Sequence, residues 1–166
     1  MIDLRSDTVT KPSLEMYEAM NTADVGDDGY GDDPTVIELE ATVSAVLGFE
    51  AGLFVTSGTQ SNLTAVLTHC GRGDEYVIGE SYHVYRAEGV GTAALGGVIP
   101  QTVPVLPDGS VDLDQVEGKI KPDDMHFPRT RLICFENTHN GKPLSPDYMA
   151  AATAVAKRNG LACHLD

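Results

Sequence analysis

Between Asp33 and Leu47, "DPTVIELEATVSAVL", the apolar residues Val36, Leu39, Val43, Val46 and Leu47 recur at helical spacing, with Pro34 in the first turn and Gly48 as a stop. The pattern predicts an amphipathic helix. Gly52 to Val55 then reads as a short buried strand, and Ser61 to His69 as a second helix closed by "CGRGDE". Further on, "EYVIG" predicts a strand, "YHVYRAEGVGTAALGG" a helix or glycine-broken loop, and "IPQTVPV" a strand limited by its prolines. "VDLDQVEGKI" predicts a helix, "RLICFEN" a buried strand, "SPDYMAAATAVAKRNG" a capped helix with a glycine stop, and "LACHLD" a last strand. Strands alternating with helices mean βαβ units, an α/β chain built on a mainly parallel sheet flanked by helices. No repeat, linker or low-complexity tract marks a boundary, so residues 1–166 read as a single domain.

Composition narrows the function classes. An apolar fraction of 42 % with 22 % charged residues is that of a globular protein able to bury a core. Lys and Arg number 11 against 25 Asp and Glu, a net charge of -14, which repels a nucleic-acid backbone or an anionic membrane. Neither is an expected partner, although a local pocket can still take a small anion. Cys70, Cys134 and Cys163 are widely spaced and form no CxxC pair, against a disulfide framework or a zinc knuckle, and a reducing cytoplasm fits that usage best. The first residues carry Asp3, Arg5 and Asp7 without an apolar signal region, and no run approaches the roughly 18 apolar residues of a membrane span, so the chain reads as neither secreted nor membrane-spanning.

The stretch "FVTSGTQSN", Phe54 to Asn62, runs from an apolar segment into small hydroxyl and amide residues at the predicted strand-to-helix turn. The first amides of a helix lack partners in the chain and the helix dipole favours an anion there, so Ser57, Gly58 and Thr59 are candidates for holding a phosphate. Glycine permits close backbone approach and hydroxyls complete an oxygen shell. An ordinary N-cap by Ser57 or Thr59 is the plain alternative. The stretch matches neither the P-loop, which needs its lysine, nor the GxSxG nucleophile elbow.

"DVGDDGYGDD", Asp24 to Asp33, has five aspartates, yet it fails the EF-hand register because Gly26 falls at the third position and Thr35 at the twelfth, and no metal site is expected. Tyr30 between two glycines is awkward in a merely solvated turn, and such a loop can carry it into a binding site. His83 after "GESY" and His126 in "PDDMHFPRT" are candidate proton carriers, each with surface placement or a satisfied structural role as the plain alternative; His139 and His164 call for the same caution. Asp166 ends an apolar strand, where a carboxylate is costly unless paired and where parallel sheets bind ligands.

Taken together, "IDLRSDTVTKPS", "VGDDGYGDDPTV", "TSGTQSNL", "ENTHNGKPL" and the final "HLD" closely resemble the low-specificity L-threonine aldolases, fold type I enzymes that use pyridoxal 5'-phosphate. The matches are ordered and span the chain. The resemblance implies the N-terminal part of a fold type I PLP-dependent transferase-like large domain and cleavage of a small β-hydroxy-α-amino acid, threonine or allo-threonine, into glycine and acetaldehyde. It implies that Gly58 and Thr59 hold the cofactor phosphate, that His83 stacks on the pyridine ring, and that Asp166 pairs with the ring nitrogen. It also places Ser6 near the substrate carboxylate and Tyr30 at a neighbouring subunit's site, in a homo-oligomer built as a dimer of dimers. A base must remove the β-hydroxyl proton, and His83 and His126 are the catalytic candidates, His83 preferred because stacking puts it at the ring.

Members of that family are longer, with their cofactor lysine and a substrate-carboxylate arginine beyond "HLD". None of Lys11, Lys119, Lys121, Lys142 and Lys157 stands in a setting resembling the cofactor lysine. The expectation is therefore that this chain is inactive alone and forms its site with a downstream C-terminal segment carrying that lysine. The competing readings are a β-eliminating lyase, distinguished by pyruvate and ammonia as products, and a non-catalytic assembly module.

Overall fold

The computed structural model describes every residue except Met1, Leu4 and Arg5, and of Asp7 only the backbone. The chain divides into two compact units, Met1–Phe54 and Val55–Asp166, each treated by itself.

The first unit holds α1 (Leu14–Thr22) and α2 (Pro34–Leu47). Ser13 caps α1 by accepting from the Met16 N–H at 3.3 Å. The expected second helix forms as read: Asp33 is its N-cap, accepting from the Val36 N–H at 2.9 Å, and Gly48 ends it in the left-handed conformation at φ 73°. No residue of either helix is buried, and Val43, Val46 and Leu47 are exposed. The acidic loop between them is held by its own backbone, with Asp33 also accepting from the Gly26 N–H at 2.9 Å and Asp27 from the Gly29 N–H at 2.8 Å. The strand expected over Gly52 to Val55 does not form. Leu53 and Phe54 are exposed, and the Phe54 N–H donates to the Glu40 carboxylate at 2.6 Å in place of a ladder bond. Gly52 is tied to this arrangement by space, since a Cβ there would lie 2.9 Å from the Glu40 carbonyl oxygen.

The second unit holds the sheet. In chain order it contains α3 (Gly58–His69), β1 (Glu75–Gly79), α4 (His83–Arg86), α5 (Gly91–Ala94), β2 (Ile99–Val103), α6 (Leu113–Gly118), β3 (Thr130–Phe135), α7 (Pro146–Arg158) and β4 (Ala162–Leu165). All strand pairs are parallel and the order is β2-β1-β3-β4. The apolar runs of β1 and β3 follow from this placement, because each has a neighbour on both sides and is covered on both faces. Tyr76, Val77, Ile78, Leu132, Ile133, Cys134 and Phe135 are buried with Val66 of α3, its C-cap Cys70, and Ala152, Val155 and Ala156 of α7. Each large aliphatic side chain contributes about 1.5–3 kcal/mol relative to an exposed one. The glycine-broken segment after β1 resolves into two single turns, α4 and α5, separated by Gly89 in the left-handed region at φ 62°.

From β1 the chain passes outward to β2, then crosses back to build β3 and β4 on the other side. The strand order thus reverses between β1 and β3. In an open parallel sheet, the crevice beyond the carboxyl ends of strands at such a reversal is where ligands bind. His83, Glu136 and Asp166 follow the carboxyl ends of β1, β3 and β4.

Candidate active site

Ser57 is the N-cap of α3 and accepts from the Gln60 N–H at 3.1 Å, so the plain N-cap reading of that hydroxyl holds. The helix begins at Gly58, earlier than the pattern indicated, which leaves the Gly58 and Thr59 amides without acceptors inside the helix. A Cβ on Gly58 would meet nothing within 4 Å. Packing therefore does not require glycine at this position, and the open space beside it lets a small anion reach the backbone. The Gln60 amide oxygen turns back to accept from Thr56, from its N–H at 3.0 Å and its hydroxyl at 2.7 Å, fixing the entry to the helix.

One turn further along α3, the buried Asn62 links this helix to the strand ends. Its Nδ2 donates to Glu88 Oε1 at 2.8 Å, and its Oδ1 lies 2.8 Å from His164 Nε2 on β4. Glu88 Oε1 is also 2.8 Å from His83 Nδ1, with the Glu88 side chain 4 % exposed and that of His83 54 %. The His83 backbone N–H donates to the Glu136 carboxylate, whose other oxygen is 2.6 Å from His139 Nδ1. His139 Nε2 in turn lies 3.3 Å from the Ser81 hydroxyl and 3.1 Å from Asn140 Nδ2. The Asp166 main chain is fastened to β3, its N–H donating to the Phe135 carbonyl at 3.0 Å and its carbonyl accepting from the Asn137 N–H at 2.8 Å.

Chemically the site is a half-open imidazole backed by carboxylates. The hydrogen bond that His83 gives to Glu88 raises the His83 pKa above its ordinary value; burial opposes this, and the charges of Glu88, Asp166 and Glu136 add to it. His164 is shifted the other way, chiefly by burial, and stays neutral further into the acid range. The cysteines offer no thiolate: burial pushes Cys70 up to about 11 and raises Cys134 and Cys163 as well. His83, Glu88 and Asp166 present ligand atoms within 4.8 Å of one another, close enough for a cation, but Glu88 Oε1 is already shared between the Asn62 and His83 donors.

Of the residues singled out in the sequence, the structure brings His83 and Asp166 together and sets Gly58 and Thr59 on the helix that carries Asn62 to them. His126 is elsewhere. It precedes β3, at the amino edge of the sheet, where its ring is exposed and 2.7 Å from Asp124 Oδ1. Ser6 and Tyr30 belong to the first unit; the Ser6 hydroxyl accepts from the Thr8 N–H at 3.2 Å, and Tyr30 ends a single turn and is largely exposed. Sequence reasoning missed Glu88, Asn62 and Glu136. Asn62 carried a signal, because it lies four residues before the buried Val66 on the same helical face, where a polar side chain requires a partner.

Comparison with known proteins agrees with this architecture. Over 166 residues the chain is 52 % identical to the low specificity L-threonine aldolase of Escherichia coli K12, covering all of this chain and 50 % of that protein. It is 44 % identical over 171 residues to low-specificity L-threonine aldolase 1 of Arabidopsis thaliana, covering 99 % of this chain and 48 % of the relative. The chain thus spans about half the length of these curated relatives. The solved threonine aldolase of Leishmania major superposes with a TM-score of 0.75 at 25 % identity, over 92 % of this chain and 44 % of that one. A structure of SPT with PLP shares the fold at a TM-score of 0.65 and 19 % identity, over 90 % of this chain and 36 % of that one. A family model described as beta-eliminating lyase matches residues 3–166. With that match across nearly its whole length, resting on a parallel sheet of the kind found in fold type I PLP enzymes, the chain belongs to the beta-eliminating lyase family.

Proposed function

We propose that the complete protein is a pyridoxal 5'-phosphate-dependent aldehyde-lyase cleaving L-threonine and L-allo-threonine to glycine and acetaldehyde, with this chain supplying the N-terminal part of the cofactor-binding large domain. The observation that carries the reading is the meeting of His83 and Asp166 at the carboxyl edge of the sheet, beside the helix whose first turn has open space at Gly58. The naming of the relatives as threonine aldolases supports the choice of reaction within the family.

The residues fit the cofactor. The Gly58 and Thr59 amides would bind its phosphate, the half-exposed His83 imidazole would stack on its ring, and the Asp166 carboxylate would hold a proton on its ring nitrogen. When bound, the cofactor supplies the sink for the electrons of the breaking Cα–Cβ bond. His83 accepts the β-hydroxyl proton as acetaldehyde leaves, with its ring directed by Glu88 and its backbone by Glu136. Within one chain this role belongs to His83; His126, at the other edge of the sheet, would serve only at the site of another copy. Ser6 is assigned to the substrate carboxylate, and Tyr30 to the substrate site of a neighbouring subunit in a homo-oligomer. The cofactor lysine is assigned to the C-terminal segment.

The test is product analysis with the complete protein, pyridoxal 5'-phosphate and L-threonine. Glycine and acetaldehyde in equal amounts are expected. A 2-oxo acid and ammonia would instead make the protein an eliminating lyase, and no turnover together with no cofactor absorbance would support the assembly-module reading.

A further inference from the structure

The hydrogen bonds around His83 can be read in one direction only. Glu88 as a carboxylate can only accept, so both groups bonded to Oε1 must donate to it: Asn62 through Nδ2 and His83 through Nδ1. That fixes the Asn62 amide, leaving Oδ1 toward β4, where His164 must then donate from Nε2. With Nδ1 holding its proton, the neutral His83 ring has its lone pair on Nε2, and the half-exposed side chain leaves that nitrogen reachable.

We propose that Asn62 is a positioning residue: anchored by His164 on β4, it fixes the Glu88 carboxylate against His83 and so sets His83 as the Nδ1–H tautomer with Nε2 free to accept a proton. The inference rests on the reading above for the purpose of His83, whereas the hydrogen-bond directions stand without it. Asn62 is 3 % exposed, and its amide nitrogen and amide oxygen each hold one of these partners, so its polarity serves the chain of bonds and not solvent. The end of β4 then serves one site twice, the backbone of Asp166 tied to β3 and His164 tied through Asn62 and Glu88 to His83. The charged groups facing His83 are Glu88, Asp166 and Glu136; those facing His164 are Asp166, His69 and Glu88. Burial lowers the His164 pKa, so its Nε2–H donates to Asn62 Oδ1 from a ring that stays neutral further into the acid range.

The experiment is long-range 1H–15N correlation of the complete protein, cofactor-free and labelled with 15N-histidine, which reads tautomers directly. In the wild type, neutral His83 is expected as Nδ1–H and His164 as Nε2–H. Glu88→Gln should move the His83 titration to lower pH and remove its Nδ1–H preference. Asn62→Leu should remove that preference without itself touching His83, and His164→Gln, which keeps an N–H donor for Asn62, should retain it. With cofactor, Asn62→Leu should lower kcat about 10-fold with little change in KM. A neutral wild-type His83 found as Nε2–H, or an unchanged His83 tautomer in folded Asn62→Leu, would overturn the proposal; if Asn62→Leu fails to fold, the wild-type tautomers decide. Loss of the threonine-cleavage reading would show as wild-type inactivity, a result independent of these spectra.

Discussion

The backbone N–H of His83 donates to the Glu136 carboxylate, and this one bond ties the segment after β1 to the end of β3 across the point where the strand order reverses. Glu136 is held in turn by His139, a buried ring that the sequence left as a plain surface or structural histidine.

Removing that tie should cost rate more than fold. Glu136→Ala is expected to lower kcat by up to ~100-fold, because displacement of a proton carrier by about 1 Å is enough for such a loss. Steady-state kinetics beside a melting curve check this; full kcat at unchanged stability would show that the His83 backbone needs no such anchor.

The pH dependence follows from the raised His83 pKa. As a base His83 works neutral, so activity should rise with pH along a limb lying above the ordinary value of 6.5. In stability the sign is opposite. A raised folded-state pKa means that the charged His83 with Glu88 stabilises the protein below 6.5, and this contribution disappears as pH rises through the raised value. A kcat profile and a pH series of denaturant midpoints measure the two. An acid limb below 6.5 would contradict the assignment.

Much of this was legible in the sequence, and the failures are physical. β1 and β3 were readable because strands with neighbours on both sides need unbroken apolar runs, and α2 and α7 because Asp33, Gly48 and Ser145 punctuate them. Gly52 to Val55 misled because four apolar-rich residues look alike whether paired in a sheet or laid along a helix, and here Glu40 takes the Phe54 amide. Asp166 was readable as a costly carboxylate at a strand end, and Gly58 as a glycine at a helix start. Glu88 was not, since a carboxylate after a helical turn is common on surfaces and only the folded path of the chain buries it against His83 and Asn62.

At the other edge of the sheet, Glu75 is fully buried and satisfied by Lys121 Nζ at 3.3 Å and the Thr130 hydroxyl at 2.6 Å. Lys121→Met leaves that carboxylate without its countercharge and should destabilise the second unit by about 3 kcal/mol, read as a lower urea midpoint at constant slope. Because this edge lies away from His83, kcat under folding conditions should be unchanged; a loss of kcat would place Lys121 in the chemistry.

Gly58→Val should fold normally, because the space at Gly58 is open, yet it should weaken retention of pyridoxal 5'-phosphate by crowding the backbone approach. Equilibrium dialysis of the complete protein gives the affinity. Unchanged affinity would leave the first turn of α3 as an N-cap alone.

The central claim is that Asp166, at the end of β4 beside His83, serves the cofactor and not the core. The most direct measurement is the rate of glycine and acetaldehyde formation from L-threonine by the complete protein carrying Asp166→Ala, saturated with pyridoxal 5'-phosphate, with circular dichroism on the same sample. The account predicts a loss of at least ~100-fold with an unchanged spectrum, because a ring nitrogen without its carboxylate is a poorer electron sink. Turnover at the wild-type rate in that variant would contradict it.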